Sequence, residues 1–131
     1  MSSVVPVEEF LASLSPEARA MTQRLRRLIR EVSPAVRERA ERETRSLRYF
    51  LGERPGDGVL DLAPDGNDVL LSFERSQALP DPRRLLNGDG AGRGEVRLTA
   101  SGAFDEPYFR SLLEAAFTSA TRTPSRRSPA A

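Results

Sequence analysis

The chain has 131 residues, enough for one domain that buries a hydrophobic core without disulfides or metals. Charged residues make up 30% of it and the net charge is +1, so no overall field draws it to nucleic acid or membrane. Cys and His are both absent, which excludes thiolate nucleophiles, sulfur metal sites and the side chain best suited to proton transfer near neutrality. No secretory signal pattern and no run of about 18 apolar residues occurs. We therefore expect a cytoplasmic protein that is not an enzyme and has no cofactor.

The first third of the chain has the pattern of helices. Pro6 begins a short helix, and Ser15 with Pro16 begins a longer one of about five turns. Apolar residues of the longer helix recur every three or four positions and line one face: Ala18, Met21, Leu25, Leu28, Ile29 and Val32. The other face carries a polar row that we interpret as solvated, rather than as a surface for nucleic acid: Arg19, Gln23, Arg26, Arg27 and Arg30.

The segment after Ser33 and Pro34 predicts another, shorter helix. Two of its glutamates each stand four residues before an arginine, which is the favourable order for ion pairs on a helix surface. The pairs are Glu38 with Arg42 and Glu41 with Arg45. We expect this helix to be exposed and polar.

Short apolar-rich runs separated by turn residues predict an antiparallel sheet of about four strands. The runs are Leu47–Leu51, Val59–Ala63, Val69–Phe73 and Glu95–Thr99. After them, Asp105 can cap a closing helix, and Phe104 can pack on Phe109 at the start of a continuous apolar stripe. The order of elements predicts an α+β fold, a two-layer sandwich with N-terminal helices, an antiparallel sheet and a C-terminal helix.

The predicted domain covers residues 1–118. Residues 119–131 (SATRTPSRRSPAA) consist mainly of Ser, Thr, Pro and Arg, with almost nothing to bury in a core. Such a composition is typical of disordered segments. We therefore expect a basic disordered tail after residue 118.

The stretch Gly88–Gly94 (GDGAGRG) is rich in glycine but matches no complete ligand motif. A phosphate-binding loop requires a helix after it, whereas the next run reads as a strand. A calcium loop requires a bidentate glutamate where this chain has Leu98. Four aspartates near the hairpin turns could hold a hard cation, but turn aspartates more often bond their own backbone: Asp57, Asp61, Asp65 and Asp68.

The candidate ligand-binding residues are Arg75, Arg93 and Arg97. Arg75 continues the side-chain parity of the third strand and should emerge at the rim of the core on the helix side. Arg93 lies in the glycine-rich loop, whose backbone amides could turn toward a bound oxyanion, and Arg97 lies on the last strand. Arginine suits bidentate carboxylate and phosphate contacts. The alternative is that Arg75 pairs with a carboxylate such as Asp81 and anchors the loop.

Three stretches of the chain share the pattern of one known family. They are VEEFLASLSPEARAMTQRLRRLIREVSP (residues 7–34), VLLSFERSQALPDPRRLLNGDGAGRGEVRL (residues 69–98) and DEPYFRSLLEAAF (residues 105–117). Together they resemble the YdhG-like domain family, a bacterial family of largely unknown function that is compared with frataxin-type iron chaperones. The resemblance spans roughly residues 4–118, and it implies helices over an antiparallel sheet.

Two departures from the family pattern bear on function. The segment Glu43–Tyr49 stands where many relatives have Trp-Gly-x-Pro or Tyr-Gly-x-Pro, and Glu95 stands where His is usual. We expect a non-catalytic module that binds a small anion or a protein partner, with a homodimer through the sheet face as a further expectation. A polar outer face of the sheet would favour solvent or a charged ligand, and a buried one a dimer. The alternative that the resemblance implies is a frataxin-like protein that handles iron.

Overall fold

A computed structural model of the chain describes residues 4–76, 79–88, 92–100 and 102–126, with the backbone alone at residue 55 and residues 121–126. Helices at both ends of the described chain flank an antiparallel sheet, which confirms the predicted α+β class. The helices are α1 (Val7–Ala12), α2 (Pro16–Val32) and α3 (Glu106–Arg126), and a single 3₁₀ turn covers Pro55–Asp57.

The sheet has seven strands in the described part of the chain, not the four that we predicted. The strands are β1 (Val4–Val5), β2 (Arg37–Glu41), β3 (Ser46–Phe50), β4 (Gly58–Asp65), β5 (Asp68–Phe73), β6 (Asn87–Gly88) and β7 (Gly94–Leu98). Their order is β1-β2-β3-β4-β5-β7-β6, and every neighbouring pair is antiparallel. Two of the unpredicted strands, β1 and β6, have only two residues each, which is too short for an alternating pattern to be visible.

The prediction of a helix after Pro34 was wrong, because the chain forms β2 there. All five residues of β2 pair with β3, and Ala40, opposite Leu47, is only 1% exposed. Arginine, glutamate and alanine all favour helices, but pairing and burial in a sheet outweigh that intrinsic preference. The predicted pairs on a helix surface are therefore absent: Glu38 contacts α2, and Glu41 contacts the arginines of the sheet.

Alternating side chains give the sheet one buried face and one polar face. Val69, Leu71 and Phe73 of β5 are fully buried, on the side of the sheet that α2 covers. Helix α3 also contacts β4, and α2 contacts α3. The opposite side, called the outer face below, carries mainly polar groups on β4, β5 and β7: Asp61, Asp65, Asp68, Ser72, Glu95 and Arg97. A polar outer face is the arrangement that we associated with solvent or a charged ligand.

The closing helix begins as the sequence predicted. The Asp105 carboxylate accepts a hydrogen bond of 3.2 Å from the backbone amide of Tyr108, and the rings of Phe104 and Phe109 stack with centroids 5.3 Å apart. The helix continues to Arg126, and Ala120 is buried. The boundary that we placed at residue 118 therefore falls inside α3, while residues 127–131 lie outside the described chain.

One arginine of the polar row on α2 joins the two N-terminal helices. The Arg19 guanidinium donates hydrogen bonds of 2.9 Å to the carbonyl oxygens of Leu11 and Leu14, at the end of α1 and just beyond it. These bonds satisfy carbonyls that a helix leaves unpaired at its C-terminal end. This arginine is therefore a structural residue rather than a solvated one. Within the described residues, no helix is long and apolar enough to cross a membrane.

We predict that Phe109→Ala lowers the free energy of unfolding by about 3–5 kcal/mol, because it removes a buried ring from the core. Phe109 stacks on Phe104 and meets the edge of Tyr108, so the remaining side chains cannot simply close the gap. Chemical denaturation measures the change. Glu114→Ala, on the exposed side of the same helix, serves as control and should change the free energy by less than about 0.5 kcal/mol. A loss below about 1 kcal/mol for Phe109→Ala would contradict the assigned core.

Candidate functional site

Strand alternation on β2 and β3 determines which side chains reach the outer face. Ala40 and Leu47 are buried partners on the helix side, so the residues next to each of them point the other way. The outward side chains of β2 and β3 include Arg37, Arg39, Arg48 and Phe50. Three arginines thus share a small area of the sheet.

Arg39 and Arg48 are direct partners across the two strands, an arrangement that like charges normally disfavour. Two features offset the repulsion. The carboxylate of Glu41 lies 3.0 Å from Nη2 of Arg39 and 3.8 Å from Nη1 of Arg48. Both guanidinium groups also cover the ring of Phe50, with Cζ atoms 4.6 Å and 5.5 Å from its centroid.

These side chains line a concave pocket of about 450 Å³ on the outer face, which we call the arginine pocket. Its cationic side chains are those of Arg37, Arg39, Arg48 and Arg54. Glu53 at its rim is 2.9 Å from Arg37, in an ion pair whose two side chains are mostly exposed. Val4 and Phe50 contribute the apolar part of the wall, and Phe50 is only 7% exposed, because the two guanidinium groups cover it.

The other half of the outer face is acidic. Arg93 lies 3.0 Å from Glu74 and 3.6 Å from Asp61, and Arg97 lies 2.5 Å from Asp65 and 3.1 Å from Asp68. Burial raises the pKa of the Asp61 carboxyl, and the opposing effect of Arg93 is smaller. Each of these two arginines therefore already has two carboxylate partners.

The three arginines that we predicted as ligand-binding residues have different contacts. Arg93 and Arg97 sit in the separate ion-pair groups just described, on the outer face. Arg75 is exposed and donates a weak hydrogen bond of 3.4 Å to the carbonyl of Gly56. Anion binding by any of them remains a prediction.

The loop after β5 is anchored without Arg75. The Asp81 carboxylate accepts hydrogen bonds of 2.9 Å from the backbone amides of Leu85 and Leu86, and another from the hydroxyl of Tyr108. The alternative that we weighed for Arg75, a pairing with Asp81, is thus not what holds this loop. In the glycine-rich stretch, the carbonyl of Gly92 accepts a hydrogen bond of 2.6 Å from the amide of Ser76, and residues 89–91 lie outside the described chain.

The helix-facing side of β2 carries a nearly buried carboxylate. Glu38, whose side chain is 8% exposed, accepts two hydrogen bonds from Arg26, of 2.8 Å and 2.9 Å. Arg30 adds a third of 2.8 Å, and the hydroxyl of the fully buried Tyr49 adds a fourth of 2.5 Å. Two members of the predicted solvated row on α2 are therefore bound to the sheet. We call this group the Glu38 cluster.

The pKa values in the Glu38 cluster reflect these contacts. Burial alone would raise the pKa of Glu38, but hydrogen bonds from Arg26 and Tyr49 outweigh it, so its pKa is lowered. Burial and the adjacent Glu38 carboxylate raise the pKa of the Tyr49 phenol. The carboxylate is thus charged and the phenol neutral at pH 7, which is the state that this set of hydrogen bonds requires.

The four aspartates considered as ligands of a hard cation have other partners. Asp61, Asp65 and Asp68 bind arginines as described, and Asp57 accepts a hydrogen bond of 3.0 Å from the backbone amide of Arg54. Among the described residues, no group of three carboxylates is placed to hold a metal ion. Comparison of the chain with protein-family models, with curated proteins and with solved structures gives no match.

We expect Glu38→Gln to lower the free energy of unfolding at pH 7 by about 3–5 kcal/mol, since it leaves two arginines without their carboxylate. The pKa of Glu38 is lowered in the folded protein from its ordinary value of 4.5. Its contribution to the free energy of unfolding is therefore complete above pH 4.5 and is lost as the pH falls through the lower folded-state pKa. The difference between wild type and variant should therefore narrow below about pH 4.5. Denaturation curves from pH 7 to 3 test this, with Glu17→Gln as an exposed control. A difference that stays constant over that range would contradict the assignment.

Proposed function

We propose that this protein is a non-catalytic binding module that holds a small anion in the arginine pocket. The observation that carries the proposal is the convergence of four arginines on one concavity, two of them directly opposite each other on neighbouring strands. Like charges in that arrangement repel each other; Glu41 and Glu74 offset part of the repulsion, and an anion bound to both arginines would offset more of it. The volume of about 450 Å³ also lies in the range of small-molecule sites.

The surroundings of the pocket strengthen an interaction with anions. Phe50 supports the guanidinium planes of Arg39 and Arg48 from one side, which restricts their motion and limits hydration. A pre-ordered guanidinium loses less freedom when it binds an oxyanion in the bidentate manner. We further propose that the helices and the sheet form two layers, which leaves the outer face open to a ligand. The expected compartment is the cytoplasm.

The other expectations from the sequence receive less support. A homodimer through the sheet face would have to remove these arginines and the acidic half of the face from water, which is costly unless each charge finds a partner. Iron handling would need the aspartates that already bind arginines or the backbone. Membership of the YdhG-like family stays a prediction and contributes nothing to the proposal.

We predict that pyrophosphate binds the protein and that the double variant Arg39→Gln, Arg48→Gln binds it at least tenfold more weakly. Each lost charge-assisted hydrogen bond contributes about 1.5–3 kcal/mol, so two losses exceed a factor of ten. Isothermal titration calorimetry at low ionic strength gives the dissociation constants, and the affinity should fall as salt is added.

The double variant Arg27→Gln, Arg84→Gln is the control matched for charge, because both arginines are exposed and neither lines the arginine pocket. It should change the affinity by less than about twofold. Equal losses in this control and in the double variant of Arg39 and Arg48 would show a general charge effect and not a site. The absence of binding by pyrophosphate, sulfate and citrate to the wild type would contradict the proposed function.

A further inference from the structure

We propose that the arginine pocket selects a diphosphate group, because Glu41 is an internal competitor that excludes singly charged carboxylates. The inference rests on the proposed function and deepens it, since it names the ligand class and the residue that sets the selectivity. It follows from the position of Glu41, from the charges around the pocket and from the covered ring of Phe50.

Glu41 already occupies the position of a carboxylate ligand. Its side chain is 13% exposed, and one oxygen, Oε2, lies 3.1 Å from Nε and 3.0 Å from Nη2 of Arg39. Its other oxygen lies 3.8 Å from Nη1 of Arg48 and accepts a hydrogen bond of 3.4 Å from the hydroxyl of Thr44. Glu41 does not line the arginine pocket itself, but a ligand that binds to the two arginines competes with its carboxylate for the same N–H donors.

Competition with the Glu41 carboxylate affects ligands differently according to their charge. A monocarboxylate would replace one carboxylate by another, so the number of favourable ion pairs would not rise, while the ligand would lose its translational freedom. A phosphate group carries about −1.5 to −2 charges near pH 7 and three acceptor oxygens, so it gains more from the same two arginines. Glu41 therefore lowers the affinity for singly charged ligands most.

The spacing of the arginines favours two linked phosphates over one. Arg39 and Arg48 face each other across about 5 Å, and Arg37 lies two residues along β2, about 7 Å further on the same face. Arg37 forms an exposed ion pair with Glu53, which salt and solvent weaken. One phosphate can thus bind at Arg39 and Arg48 while the second reaches Arg37.

The diphosphate group could belong to inorganic pyrophosphate or to a nucleotide. The wall of the pocket indicates whether a nucleobase would add to the affinity. A nucleobase gains affinity from a free aromatic face on which it can stack. Phe50 offers none, because the guanidinium groups of Arg39 and Arg48 cover it and leave it 7% exposed. We therefore expect ADP to bind no more tightly than pyrophosphate.

The test compares pyrophosphate, ADP and acetate by calorimetry on the wild type, Glu41→Gln and Glu53→Gln. Glu41→Gln should tighten pyrophosphate binding roughly fivefold and make acetate binding measurable, because the competing charge is gone. Glu53→Gln lies in an exposed loop and keeps the sheet intact, and it should tighten pyrophosphate binding about twofold. Glu114→Gln, exposed on α3, removes the same charge far from β2 and should leave all affinities unchanged.

The outcomes separate the inference from the function that it rests on. If no anion binds to any of these proteins, the proposed function fails. A second outcome is that pyrophosphate binds the wild type, that the double variant of Arg39 and Arg48 abolishes this binding, and that Glu41→Gln leaves the affinity unchanged or lowers it. Glu41 is then not a competitor, while the arginine pocket is still the binding site. Acetate binding the wild type as tightly as pyrophosphate, or ADP binding far more tightly, would overturn the diphosphate assignment alone.

Discussion

The Glu38 carboxylate fixes the orientation of β2, and the rest of the outer face depends on it. Arg26 and Arg30 of α2 and the buried hydroxyl of Tyr49 hold this carboxylate on the helix side. Because side chains alternate along a strand, Arg37 and Arg39 must then point to the outer face. A shift of β2 by one residue would bury two guanidinium groups and expose Ala40. The contacts of Arg26 and Arg30 with Glu38 therefore place Arg37 and Arg39 on the outer face.

The outer face is divided by charge as a result of this register. Its β2–β3 side carries four arginines around Phe50, each with a carboxylate within 4 Å, whereas its β4–β7 side supplies two carboxylates to each arginine. Arg48 lies at the border, with Glu41 on one side and Glu74 at 3.3 Å on the other. In the described chain every buried side-chain polar atom has a hydrogen-bond partner.

Much of the fold could be predicted from the sequence. The arginine pocket could not, because β2, the strand that carries Arg37 and Arg39, was not predicted. The apolar period of α2, the cap and aromatic pair at the start of α3, and the turn residues around β4 and β5 are local signals, and each gave the right element. Residues 37–41 (RERAE) favour a helix locally, and the spacing of Glu38 from Arg42 and of Glu41 from Arg45 also fits a helix surface. These two signals concealed the alternation of the strand. The partners of Arg97 lie 29 and 32 residues away along the chain, a pairing that no local pattern reveals.

The central claim is that the register of β2 creates an anion site beside Phe50. Nuclear magnetic resonance of ¹⁵N-labelled protein titrated with pyrophosphate tests it most directly, since backbone amide and arginine Nε signals report where the anion binds. The account predicts that the largest shifts occur at Arg37, Arg39, Arg48 and Arg54, while the signals of Arg75 and of residues 92–97 stay nearly unchanged. Shifts concentrated at Arg75 and residues 92–97, or spread evenly over all exposed arginines, would contradict it.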